Sequence, residues 1–282
     1  MAAVTVNGLH KSYSGLEAVR GVSFEIEAGE VFGLLGPNGA GKTTTVEILE
    51  GYRHRDAGQV TVLGVDPEHA GESWRERIGI VLQSSAMYVN LTVREHVALF
   101  AGYFAAPRDV DDVVDLVGLA EKRLDRVKTL SGGQKRRLDL ALGLIGDPEI
   151  LFLDEPTTGF DPAARRAAWD MIRSLRELGK TVLLTTHYLD EAEQLADRVA
   201  VLRHGEVVAL GTPRELTSRA AGTEIRYRRD GREVVVATQE PTKTLHELTG
   251  EALAAGAELD GLQVRKPSLE DVYLSLTGGD RE

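Results

Sequence analysis

Apolar positions fall in short bursts separated by glycine. Val4 to Val6, Val22 to Ile26, Val31 to Leu35 and Val60 to Leu63 are β-rich runs set off by glycine turns, and a glycine-rich loop then opens a helical stretch from Lys42. The period changes between Leu91 and Ile145, where Val110, Val113, Val114 and Val117 recur as on one helical face. β-like runs resume at Ile150 to Leu153 and Thr181 to Leu184, so the helical stretch reads as an insert in an α/β core. After Gly211 the composition shifts. Glu224 to Tyr227 and Glu233 to Ala237 form a predicted hairpin around Asp230-Gly231, followed by a helix from about Thr242 to Ala255, a strand near Leu262 to Val264 and a last helix from Ser268. The expected organisation is a main domain over 1–215, with its helical subdomain at about 84–147, and a small α+β appendage over 216–282. There is no internal repeat, low-complexity tract or long heptad run.

At 282 residues, 42% hydrophobic and 27% charged, the chain can bury a core of its own. The absence of cysteine excludes disulfides, thiolate metal sites and a cysteine nucleophile, and makes the cytoplasm the expected compartment. Met1 to Leu9 lacks the basic stretch and apolar core of a secretory signal, and runs such as Ile150 to Leu153 or Val182 to Leu184 are far too short to cross a bilayer. A net charge of -11 argues against nucleic acid as a partner, since sequence-independent binding relies on Lys and Arg neutralising phosphates.

Gly36-Pro37-Asn38-Gly39-Ala40-Gly41-Lys42-Thr43 fits the phosphate-loop pattern between a strand and a helix, with Thr44 following. Glycines let successive N–H groups face a β-phosphate, the helix start adds its positive end, Lys42 places a charge at the β/γ oxygens, and the Thr43 hydroxyl can ligate Mg2+. A second element, Ile150 to Glu155, is a strand buried on both faces that ends in two carboxylates. Because successive strand residues point to opposite sides, separate roles are expected: Asp154 holds Mg2+ through its water shell and Glu155 polarises the attacking water.

Leu130-Ser131-Gly132-Gly133-Gln134, followed by Lys135-Arg136-Arg137, resembles the signature sequence of the ATP-binding cassette (ABC) family. In isolation, a serine and two glycine N–H groups would be read as a helix cap or as a second anion site at a helix N-terminus. The resemblance implies a phosphate-loop NTPase fold, an ABC nucleotide-binding domain with an N-terminal antiparallel β subdomain and an inserted helical subdomain. It implies that two copies pair head to tail, the signature of one covering the γ-phosphate held by the phosphate loop of the other. It implies further roles for single residues: Tyr13 resembles the aromatic that stacks on adenine, and Gln83 the glutamine that touches Mg2+ and the attacking water. His187 resembles the histidine at the γ-phosphate, and Asp161 the aspartate of the cross-dimer loop, with Phe160 where leucine is more usual. ATP and Mg2+ are the implied substrate and cofactor.

The segment from Lys266 to Gly278 looks like the terminal segment of ATPase subunits in the bacterial drug-resistance exporter branch, the daunorubicin-type family. Leu269, Val272, Tyr273 and Leu276 also read as the apolar face of a closing helix. The resemblance implies an ATPase that powers export of drugs or other hydrophobic compounds, peripheral on the inner face of the cell membrane and docked on a separate integral membrane permease subunit. The alternative is a non-transport cassette ATPase associated with ribosomes, DNA or assembly factors. The ribosomal type carries two cassettes in one chain and the chromosomal type inserts long coiled coils, neither of which the sequence contains. A catalytically silent sensor would be expected to lack Glu155 or His187.

Overall fold

The computed structural model describes residues 1–82, 87–219, 222–229, 231–265 and 268–277. Two compact units divide the chain, Met1–Leu210 and Gly211–Glu282. The first unit starts with β1 (Ala2–Tyr13), β2 (Leu16–Glu27), β3 (Val31–Leu35), α1 (Lys42–Leu49) and β4 (Ala57–Val62). Next come α2 (Glu72–Arg75), β5 (Ile78–Val81), α3 (Val93–Ala101), α4 (Val110–Leu116), α5 (Gly132–Leu144) and β6 (Ile150–Asp154). The unit closes with α6 (Pro162–Glu177), β7 (Thr181–Thr186), α7 (Leu189–Leu195), β8 (Arg198–Arg203) and β9 (Glu206–Gly211), the last reaching the unit boundary.

An antiparallel sheet of order β2-β1-β4 packs over a six-stranded sheet of order β5-β6-β7-β3-β8-β9. β5, β6, β7, β3 and β8 run parallel, and β3 and β7 bury every residue, as continuous apolar runs require when both faces of a sheet are covered. Successive side chains alternate between two cores. Val31, Leu151, Leu153, Val182 and Leu184 pack with Val97 of α3, Val113 of α4 and Leu138 and Leu144 of α5. Phe32, Leu34, Ile150, Phe152 and Leu183 pack instead with Val6, Phe24, Ile26 and Val60 of the antiparallel sheet and Leu49 of α1. The helical insert is thus fastened to one face and the β subdomain to the other.

At the insert, α5 lies against β5 at backbone contact. A Cβ on Gly79 would strike the Gly143 carbonyl, and a Cβ on Gly143 would come within 2.7 Å of Val81 Cγ2, so both positions need hydrogen where others carry a side chain.

The second unit holds α8 (Pro213–Arg219), β10 (Thr223–Arg229), β11 (Arg232–Thr238), α9 (Pro241–Ala254), β12 (Asp260–Arg265) and α10 (Leu269–Thr277). Its strands form an antiparallel sheet of order β11-β10-β12, and Leu216, Ile225, Tyr227, Leu269 and Val272 make its small core. The hairpin turn residue Asp230 lies outside the described residues, as do Lys266, Pro267 and 278–282 and the side chain of Leu276. α9 begins at Pro241, whose fixed φ and missing N–H suit a first helical position.

Candidate functional site

Register decides what meets what. Asp154 on β6 sits opposite Thr185 on β7, and Thr186 on β7 sits opposite Leu35 on β3. The carboxyl ends of these three neighbouring strands therefore release the 36–41 loop, the acid pair and His187 on one edge of the sheet. A cleft of about 720 Å3 opens there, lined by Tyr13, residues 38–44, Asp154, Glu155, Thr158 and His187, with Leu16, Glu17, Ala18, Arg20 and His204 on its rim.

The loop wall is built on glycine. Gly41 has φ 100°, and a Cβ on it would collide with the Ala18 carbonyl, so the turn into α1 can pass under β2 only without a side chain. Lys42 is buried, and its ammonium donates to the carbonyls of Gly36 (2.7 Å) and Pro37 (3.1 Å). Burial lowers its pKa, opposed by the nearby charges of Glu155 and Asp154.

Across the cleft, the Thr185 hydroxyl donates to Asp154 Oδ1 at 2.5 Å and accepts the Glu155 N–H at 3.1 Å, so one side chain fixes both acids. Glu155 Oε1 lies 3.0 Å from His187 Nδ1, and Glu155 Oε2 accepts the Thr158 hydroxyl at 3.1 Å. The expectation that the two acids face opposite sides is corrected. β6 ends at Asp154 and Glu155 turns to φ 45°, which breaks the strand alternation and brings both carboxylates to the same cleft. Glu50, at the end of α1, is pushed up to about 8 by burial and by the charges of Asp154 and Glu47.

Tyr13 closes the cleft at the end of β1, with the Arg53 guanidinium 5.2 Å and the Lys11 ammonium 5.6 Å from its ring centroid. Ser131 to Gln134 lie elsewhere, in a second cleft of about 600 Å3 shared with Thr158, Gly159, Phe160 and Asp161. Ser131 caps α5 in a reciprocal box: its hydroxyl accepts the Gln134 N–H at 3.3 Å, and Gln134 Oε1 accepts the Ser131 N–H at 2.9 Å. Asp161 caps α6 through Ala163 and Ala164. Gln83 lies outside the described residues. Thr185 and Thr158 went unnoticed in the sequence, although threonine in an otherwise apolar buried strand was a signal for the first.

A lysine-bearing loop after β3 at a helix start, facing an acid pair at the end of β6 two strands away in the same sheet, defines a phosphate-loop nucleoside triphosphatase. Residues 19–158 match the ABC transporter family, and residues 209–268 match the C-terminal domain of ABC transporter domain-containing proteins. The chain is 41% identical to the Nod factor export ATP-binding protein I of Rhizobium johnstonii over 99% of its own length and 96% of that protein's. It is 40% identical to the daunorubicin resistance ATP-binding protein DrrA3 of Streptomyces coeruleorubidus, over 99% and 97%. Among solved structures it resembles cbiO1 of Clostridium perfringens, part of the ABC transporter complex cbiONQ, with TM-score 0.72, 29% identity and coverage of 77% and 91%. An ATP-binding subunit of an ABC transporter matches with TM-score 0.71 over 97% of this chain and 99% of that one, at 22% identity. The chain belongs to the ABC transporter family, as one of its ATP-binding, ATP-hydrolysing proteins.

Proposed function

We propose that this chain powers an exporter of hydrophobic compounds, paired head to tail with a second copy and docked on a separate membrane-spanning permease. The observation that carries the reading is the division of the site. The phosphate loop, acid pair and His187 share one cleft, while Ser131 to Gln134 and Asp161 line another. A second copy would bring its signature cleft to the first copy's loop, and each ATP would then lie between two chains. The exporter branch is supported by relatives named for export of Nod factor and for daunorubicin resistance.

In this reading Tyr13 stacks on adenine, N–H groups of residues 36–44 other than Pro37 and the Lys42 ammonium hold the β- and γ-phosphates, and Glu155 accepts a proton from the water that attacks phosphorus. His187 orients Glu155 and reaches the γ-phosphate, and ADP and inorganic phosphate leave. Ser131, Gly132, Gly133 and Gln134 meet the partner's nucleotide, with Asp161 beside them. Among the described residues no cluster of three or more His, Cys, Asp or Glu side chains could hold a metal, so a cation here needs the nucleotide's own oxygens. The oxygen set of the Thr43 hydroxyl and the Asp154 carboxylate fits Mg2+ on that condition; Gln83, the further ligand the resemblance implies, lies outside the described residues. Mg2+ would neutralise charge between the β- and γ-phosphates.

No helix among the described residues is long and apolar enough to cross a membrane. Membrane attachment is assigned to the permease, whose cytoplasmic helix would seat on the stretch 84–104; 84–86 lie outside the described residues, and within 87–104 Tyr88, Leu99 and Tyr103 are exposed. Purification of the tagged chain from gently solubilised membranes tests the assignment. A multi-spanning protein in near-equal amount is expected; recovery with ribosomes or soluble factors alone would overturn it.

A further inference from the structure

Arg136 stands on the second turn of α5 and reaches out of the helical insert into the core. Its guanidinium donates to the carbonyls of Leu82, Asp154 (2.7 Å), Pro156 (3.2 Å) and Glu155 (3.4 Å). β5 and β6 are parallel neighbours in register from Ile78↔Ile150 to Val81↔Leu153, so the carbonyls beyond their ends emerge side by side. A planar fork of five N–H donors can span both strand ends; an ammonium, with its donors on one nitrogen, cannot. Burial pulls the Arg136 pKa down, while Asp139, Asp154 and Glu191 oppose that pull.

The other end of α5 is held differently. Gly143 packs against β5 at backbone contact opposite Gly79, which seats that end of the helix on the strand itself with no side chain between them. The helix is thus close-packed on backbone near its C-terminus and held by a polar clasp near its N-terminus, the end that carries Ser131 to Gln134. A swing of the signature end must carry or break the bonds at 154–156, and Glu155 lies among them.

We propose that Arg136 is a positioning residue that couples the two clefts of one chain, so that seating of the signature on the partner's ATP sets the Glu155 carboxylate that acts on the chain's own ATP. The inference rests on the head-to-tail reading above and adds the residue through which the two sites communicate. Each pair would contain two such links, one per chain, which makes hydrolysis cooperative in ATP.

The test is steady-state ATP hydrolysis by the full chain with excess Mg2+ across a range of ATP concentrations. Wild type is compared with Arg136→Gln and with Arg136→Lys, which keeps the charge and the stem. Binding of a fluorescent ATP analogue and thermal unfolding are measured alongside. Arg136→Gln is expected to lower kcat about tenfold and the Hill coefficient from near 2 to near 1, with the analogue Kd within about twofold of wild type. Arg136→Lys is expected to fall between. An unchanged Hill coefficient in Arg136→Gln, with wild type cooperative, overturns the coupling role alone. Parallel loss of Kd, melting temperature and kcat in both variants also overturns it, by reducing Arg136 to a scaffold part. A non-cooperative wild type, together with a Glu155→Gln chain that stays monomeric in ATP, overturns the paired reading itself.

Discussion

Replacing Glu50 by glutamine removes a charge from a place that disfavours one. Glu50 sits at the C-terminal end of α1, where the helix dipole is negative, half-buried and facing the charges of Asp154 and Glu47. Its carboxyl is raised from the ordinary 4.5 to about 8, burial being the larger cause. Below pH 4.5 folded and unfolded chains both carry the proton, and Glu50 has no pH-linked effect. As pH rises from there to about 8, the unfolded chain ionises first, so stability falls; above that the full penalty is present. At about 1.4 kcal/mol per pH unit the ceiling is about 5 kcal/mol, and solvent access to the half-buried group brings the expected effect to about 2–4 kcal/mol. Urea unfolding of wild type and Glu50→Gln, nucleotide-free and in EDTA, reads it directly. The glutamine chain should be more stable by that amount at pH 9 and by under about 1 kcal/mol at pH 5. An equal increment at both pH values, or a less stable variant at pH 9, would refute the reasoning.

Glu155→Gln should keep ATP binding, slow turnover by about a hundredfold or more and accumulate an ATP-loaded pair on size exclusion; normal turnover would remove Glu155 from its role. Gly79→Ala should cost about 3 kcal/mol in denaturant unfolding, because the new methyl group meets the backbone of α5 rather than a movable side chain. His96 is fully buried, its ring stacked at 5.4 Å on Phe100, and its polar neighbour is the Tyr88 backbone, with no well-formed hydrogen bond to either nitrogen among the described residues, so His96→Phe should stabilise by about 1 kcal/mol. Burial lowers the His96 pKa, so that gain should grow as pH falls below the ordinary 6.5, where only the unfolded wild type takes up the proton. Leu99→Ser with Tyr103→Ser should weaken co-purification with the membrane subunit about tenfold while the ATP analogue still binds.

The sequence was most informative where chemistry is local. The phosphate loop and the acid pair are contiguous stretches whose pattern of residue types stands out by itself, whereas Ser131 to Gln134, equally contiguous, gained a role only through their resemblance to the ABC signature. Thr185 escaped because its importance comes from lying opposite Asp154 across a parallel pair, 31 residues away in the chain. Arg136 escaped for the same reason: its partners are carbonyls, which every residue has. The reach of β1 also exceeded the apolar run at Val4 to Val6, since register shifts along β1 break the two-residue period on which strand reading depends. α6 was missed altogether, although Ala168, Ile172 and Leu175 are buried at helical spacing and Trp169 and Met171 pack beside them, a pattern the sequence itself carries.

Thr158 belongs to both clefts, holding Glu155 on one side and bordering Gly159 to Asp161 on the other. With two half-sites set apart in every chain, a pair joined head to tail has a particular genetics. A chain damaged only at Ser131 to Gln134 would keep its own loop and acids intact and would disable the site of whichever copy it joined. Expressed beside the normal gene, such an allele would be dominant, while an allele lacking the chain altogether would be recessive.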